Sequence, residues 1–261
     1  METFHLTRKQ MATLLLSLQG SFDKTPVATL QEVWAKSHKA DMEHGKTLGA
    51  FISTSLPPIF EKIIKMKQTG EGFSLTDIVA LGNQIEYTYY SVTSVQNWVK
   101  RDFKDLIGPP RIGKKYSVDQ TAVLFIIDDL KATLDFESIR KLLTLVFQNP
   151  QDDSDDLIRP LRLYAAYSFL FEELDKNNDQ VLDLAGHESG KPNHDHMMEH
   201  MIKQITDSYV LTLDGLNAEQ REAVSNTVLI AMVSVQTTYF QSLARRFLNA
   251  TLFLQNLGAD S

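Results

Sequence analysis

The stretch from Ser91 to Lys141 constrains the chain most, because helix signatures there flank a loop stopped by consecutive prolines. In SVTSVQNWVKR, Val92, Val95, Trp98 and Val99 recur with a 3.6-residue period, while Thr93, Asn97 and Lys100 fall on the opposite side. Such a helix gives one face to a core and leaves the other free for a partner. The loop DFKDLIGPPRIGKKYS follows, with a Gly-Pro-Pro stop at Gly108 to Pro110 and a second glycine at Gly113, a pattern that predicts a small β-hairpin. It concentrates Lys104, Arg111, Lys114 and Lys115. Ser117 with Gln120 forms a capping box that opens an apolar helix from Ala122 to Leu130. A further helix begins after Asp135 and buries Ile139, Leu142, Leu143 and Val146.

This order of parts resembles the winged helix-turn-helix of MerR-type transcription regulators: a helix, a basic wing ending R-x-G-K-K-Y-S, a hydrophobic helix, then D-F-E-S-I-R-K-L-L. More closely, Leu56 to Leu143 and the helix near Val228 to Leu248 are similar to an uncharacterised bacterial family of MerR-like proteins, described only as a domain of unknown function. The resemblance spans about two thirds of the chain and includes no catalytic signature. It implies a mainly helical, all-α fold with a small β-hairpin wing. Three segments are expected: a helical segment over 1–58, the winged helix-turn-helix over 59–147, and a helical regulatory or dimerisation domain over 148–261. MerR-type proteins dimerise through a long C-terminal helix, so the resemblance implies a homodimer. The expected first helix of the motif is capped by Ser74 and Asp77 and buries Ile78, Val79 and Leu81. Its connection to the next helix, Gly82 to Tyr90, departs from the family's short turn by being longer and rich in tyrosine.

The 261 residues suffice for a sizeable core, and 43 % hydrophobic with 23 % charged residues mark an ordinary globular composition. Cysteine is absent, which excludes disulfides and thiolate chemistry and fits a cytoplasmic protein. No run reaches the ~18 apolar residues of a membrane span, and Met11 to Leu18 reads as a buried helix face rather than a leader. The formal net charge is −7, but it is unevenly spread. Phe60 to Ser117 holds nine Lys/Arg against six Asp/Glu, whereas Pro150 to Gly215 holds five against fourteen. A basic module beside an acidic one suits a nucleic-acid-binding unit joined to a regulatory one.

Elsewhere, Met11, Leu14, Leu15 and Leu18 form one helical stripe and Leu30, Val33 and Trp34 another. Pro57 and Pro58 precede a short helix, Ile59 to Met66. The acidic loop NPQDDSDD after Phe147 leads to expected helices at about Asp155 to Leu174 and His194 to Leu211. The last, Asn217 to Leu257, would be about 60 Å long. Its apolar surface, from Val228 through Met232, Val235 and Tyr239 to Phe247, has to meet other helices or a second subunit.

Two motifs suggest metals. Asp175, Asn177, Asp179 and Asp183 match four positions of an EF-hand loop, but Gln180 stands where the turn needs glycine and Gly186 where the bidentate glutamate belongs. His196, Glu199 and His200 spell H-x-x-E-H, yet nothing downstream marks a third zinc ligand. Neither establishes a metal, and no cofactor is implied. Asp128 and Asp129, adjacent on a helix and ~100° apart, read as capping or surface residues. There is no phosphate-cradling glycine loop and no G-x-S-x-G.

The expected function is therefore non-enzymatic: double-stranded DNA binding by a transcription regulator. Gln96 and Asn97 are the residue types that pair with adenine in the major groove, Thr93 shares their face, and Lys100 or Arg101 reaches guanine or phosphate. Arg111, Lys114, Lys115 and Tyr116 would hold the backbone. A different class of function, a protein-interaction module built on the same core, also fits the acidic balance, and a metal-dependent hydrolase at His196 and His200 is a third.

Overall fold

The computed structural model describes residues 5–37, 56–66, 71–149, 152–174 and 194–259, with side chains throughout except at 194–198 and 254–259. Eleven α-helices are described: α1 (Arg8–Gln19), α2 (Pro26–Ser37), α3 (Pro58–Lys65), α4 (Leu75–Gly82), α5 (Val92–Asn97), α6 (Lys104–Ile107), α7 (Val118–Leu130), α8 (Phe136–Phe147), α9 (Pro160–Leu174), α10 (His194–Val210) and α11 (Ala218–Ala259). The fold is mainly helical, as expected. No helix among the described residues is long and apolar enough to cross a membrane.

Helix α7 is the axis of the core, and all thirteen of its residues are buried. A helix apolar on every side needs neighbours on every side. Here α1, α6, α9 and α11 surround it, and α9 also packs on α1 and α11. Phe125, Leu124, Ile126 and Ile127 are fully buried, and each side chain contributes roughly 1.5–3 kcal/mol by leaving water. One apolar cluster runs from Leu6 through α7 to Val235. The stripes expected on α1 and α2 face it: Met11, Leu14, Leu15, Leu18, Leu30, Val33 and Trp34 are all buried.

Burying α7 leaves its polar ends to be satisfied by protein groups. At its start Ser117 and Gln120 form the expected capping box. Asp119 accepts hydrogen bonds from Leu161 N (3.1 Å), Arg159 Nη2 (2.8 Å) and Gln19 Nε2 (3.0 Å). One carboxylate thus caps the first turn of α9 and ties three helices together. Helix α9 begins at Pro160 rather than near Asp155, because proline suits the first helical turn, where its missing N–H is not needed.

The expected β-hairpin does not form as strands, and only isolated bridges occur among the described residues. Ile112 and Lys115 exchange two backbone hydrogen bonds of 3.0 Å around Gly113 and Lys114. Gly113, at φ +60°, takes the first central position of a type II′-like turn. Tyr116 pairs in the same way with Phe73, at 2.8 Å in each direction. The turn is held by side-chain anchoring instead of a ladder.

Helix α11 has two regimes. Val224, Val228, Met232 and Val235 lie in the core, but Phe240, Phe247, Leu248, Leu252 and Phe253 are exposed. Asn217 and Gln220 cap its start reciprocally at 2.9 Å.

Candidate functional site

Helix α5 is where the chain turns polar groups outward from a well-packed base. Ser91 caps it, its hydroxyl accepting from Ser94 N at 3.0 Å. Val95, Trp98 and Val99 are buried, as the periodicity requires, whereas Val92 is 39 % exposed and leaves the expected stripe. After Asn97 the backbone widens into a single π turn, Trp98–Asp102, closed by Phe103 N donating to Trp98 O at 2.9 Å. The extra residue puts both Trp98 and Phe103 on the inside, and such turns cluster at functional sites. Trp98, Phe103 and Phe136 pack edge to face with centroids 5.0–6.5 Å apart. The Lys131 ammonium lies 5.3 Å over the Trp98 ring.

On the other side Thr93, Gln96, Asn97, Lys100 and Arg101 are all exposed. Arg101 pairs with its neighbour Asp102 at 2.7 Å, which raises its pKa through that hydrogen bond. The π turn is braced from behind by Arg140, which donates to Asp102 O at 2.9 Å.

The connection from α4 to α5 is long but built. The Asn83 side chain donates to Tyr90 O (3.0 Å) and accepts from Tyr90 N (2.8 Å). The Thr88 hydroxyl lies 2.7 Å from Gly82 O and 2.9 Å from Ile85 O. Gly82 admits no larger residue, since a Cβ there would lie 2.6 Å from the Tyr90 ring. Leu6 adds a parallel bridge, its N donating to Gln84 O at 2.7 Å and its O accepting from Glu86 N at 2.9 Å. The tyrosines divide their roles, Tyr90 being buried and Tyr89 80 % exposed.

The basic turn is organised by Gln120, which is 3 % exposed. Its Nε2 donates to Ile107 O (2.9 Å) and Pro109 O (2.7 Å), while its Oε1 accepts from Ser117 N (2.9 Å) and Arg111 N (3.3 Å). One amide therefore satisfies four backbone groups of residues 107–117. The capping-box spacing identifies one of these four contacts, and those to Ile107, Pro109 and Arg111 have no local signature. Lys114 is exposed and Lys115 half-buried. Arg111 is paired with Asp153 of the acidic loop, and Asp153 also binds Arg159 at 3.0 Å. Tyr116, expected on the outer face, is 9 % exposed and belongs to the core.

A second polar constellation was not expected. Asp128 and Asp129 are 5 % and 3 % exposed, which corrects their reading as surface residues. The buried Arg8 guanidinium lies against Asp129 Oδ1, with Nε at 2.9 Å and Nη2 at 2.8 Å, and Tyr167 donates its hydroxyl to Oδ2 at 2.6 Å. Burial opposes the charge on Arg8, but Asp129 outweighs it and the pKa rises. Asp128 pairs with Lys131. Burial, reinforced by Asp129, still pushes its carboxyl up to about 6.

Asp175, Asn177, Asp179 and Asp183 lie outside the described residues, as does the His196 side chain. Glu199 and His200 are exposed on α10, and no group of three potential metal-ligating side chains occurs among the described residues.

The geometry defines a mainly helical protein that presents a polar helix face and an anchored basic turn. The chain belongs to the family described as domain of unknown function DUF1836, whose sequence model matches residues 72–167. That span holds α5, the basic turn and the whole of α7. The chain is also 32 % identical over 247 residues to the uncharacterized protein YkrK of Bacillus subtilis (strain 168), an alignment covering 94 % of this chain and 97 % of that relative. No solved structure matches it.

Proposed function

We propose that this chain is a sequence-specific double-stranded DNA-binding transcription regulator of the cytoplasm, with α5 as its reading helix and residues 108–117 as its wing. The observation that carries the reading is the outward row Thr93, Gln96, Asn97, Lys100 and Arg101 on a helix whose opposite face is locked by Val95 and Trp98. Apart from the pairing of Arg101 with Asp102, these side chains make no contact that holds the fold. Gln96 and Asn97 suit adenine edges, Lys100 and Arg101 suit guanine or phosphate, and Lys114 with Lys115 would grip the backbone beside them. The bare half of α11, with Phe247, Leu248 and Phe253 in the open, supports a dimer through that helix.

A protein-binding reading is favoured by the net charge of −7 and by the pairing of Arg111 with Asp153, which withdraws one wing cation. Titration with duplex DNA at two salt concentrations separates the two. Under the DNA reading affinity falls steeply with salt, and Lys114→Ala with Lys115→Ala weakens all sequences alike and flattens the log–log slope by roughly 2. Asn97→Ala changes the preferred base at about 1–3 kcal/mol of discrimination. Absent affinity, or affinity indifferent to salt, sinks the DNA reading in favour of the protein partner.

A further inference from the structure

A cavity of about 220 Å³ opens where the first turn of α1, the turn after α4, and helices α9 and α11 meet. It is larger than the ~150 Å³ apolar cavity that suffices to admit benzene. Its walls are mixed. Phe171, Val235 and Tyr239 supply apolar surface, and Tyr87 stands at the edge with its ring 5.2 Å from Tyr239 in a T-shaped contact. Tyr87 holds φ at +63°, a conformation a bulky side chain rarely adopts and one that concentrates at ligand sites.

Two polar side chains lining this space carry an unsatisfied buried atom among the described residues. Ser168 is 2 % exposed, and its hydroxyl makes no hydrogen bond, not even the usual return to the carbonyl one turn earlier. The Nε2 of Gln236 is buried without an acceptor. A buried donor left without an acceptor destabilises the fold unless a ligand or water supplies one. The half-buried Glu86 carboxylate lines the same space. Of the other charges lining the cavity, Arg8 is committed to Asp129 at 2.8 Å and Lys9 to Glu172 at 3.5 Å. No hydrogen bond or ion pair reaches the Glu86 side chain, and its pKa is raised by burial in spite of His5 and Arg8. With Arg8 engaged by Asp129 outside the cavity and Lys9 by Glu172, the Glu86 carboxylate is the lining charge that no cation pairs.

We infer that this cavity is a binding site for a small organic amine: a protonated nitrogen on Glu86, an apolar or aromatic body against Phe171, Val235 and Tyr239, and an acceptor oxygen taking the hydrogens of Gln236 and Ser168. The inference is independent of whether the protein binds DNA.

The test uses the full chain and three probes of one shape: tyramine, 2-phenylethylamine, which lacks the hydroxyl, and 3-(4-hydroxyphenyl)propionate, which replaces the ammonium with a carboxylate. A ligand of this size binds at roughly millimolar affinity or tighter when its groups are matched. Saturable binding by calorimetry or ligand-observed NMR is expected for tyramine, weaker binding for 2-phenylethylamine and none for the propionate. Glu86→Gln is expected to weaken tyramine about tenfold, as loss of a charge-assisted contact does, and Gln236→Leu to remove the advantage of tyramine over 2-phenylethylamine. Far-UV circular dichroism checks that each variant is folded. Should Glu86→Gln unfold, Gln236→Leu carries the decision with the same readout. No saturation with either amine, equal binding of the propionate, or unchanged tyramine affinity in the folded variants overturns the site.

Discussion

Arg8, Asp129 and Tyr167 are polar residues bound into one another between α1, α7 and α9, whereas Thr93, Gln96, Asn97 and Lys100 are polar residues held out in water at α5. In the first region buried groups compensate one another, so the knot is inseparable from the fold. In the second the side chains can be exchanged without leaving anything unsatisfied. A polar residue with internal partners is explained by stability, and one with none, on a rigid base, is open to water or to a partner.

The comparison breaks most sharply at Arg8. Arg8→Met leaves Asp129 buried beside Tyr167 without its cation, and such a loss typically costs about 3–5 kcal/mol. Urea unfolding of the variant should show a loss of that order, and a change below ~1 kcal/mol would mean that the ion pair is dispensable.

Asp128 gives an effect of intermediate size that depends on pH. Its folded-state pKa, about 6, lies above the usual aspartate value because burial disfavours the charge. Between about pH 4 and 6 the native state holds a proton that the unfolded state has released, so this group's contribution is fully present below ~4 and is lost as pH rises through 6. Relative to wild type, Asp128→Asn should gain up to roughly 3 kcal/mol across that window. Parallel stability curves for the two proteins would show the carboxyl to be unperturbed.

The smallest change is expected outside. Thr93, Gln96 and Asn97 replaced together by alanine should each alter stability by no more than ~0.5 kcal/mol, as exposed positions do, while abolishing base preference in the DNA titration. A large drop in the thermal midpoint would return these residues to the structural class.

What the sequence made legible follows the range of the interactions. Capping boxes at Ser74 and Ser117 are contacts three residues long, and both form. The stripes on α1 and α2 and the exposed face of α5 are periodic, and they too appear. The burial of Asp128 and Asp129 was hidden because Arg8 lies 121 residues from Asp129 in the chain, and no local pattern announces such a partner. Tyr116 was misplaced for a related reason. Its run of basic neighbours suggested a surface, but its backbone is paired with Phe73 far upstream. The hairpin was overcalled from glycine and proline chemistry that fits an anchored turn equally well. Gln120, its anchor, could have been suspected only as a cap.

Helix α11 is a stiff rod clamped along one half and bare along the other. Val235, Gln236 and Tyr239, on the wall of the cavity, sit close to where the clamp ends. A couple applied to the bare arm, by a second copy gripping Phe247 or Leu252, would be delivered as torsion at that wall, so the two ends of one helix share a single mechanical degree of freedom.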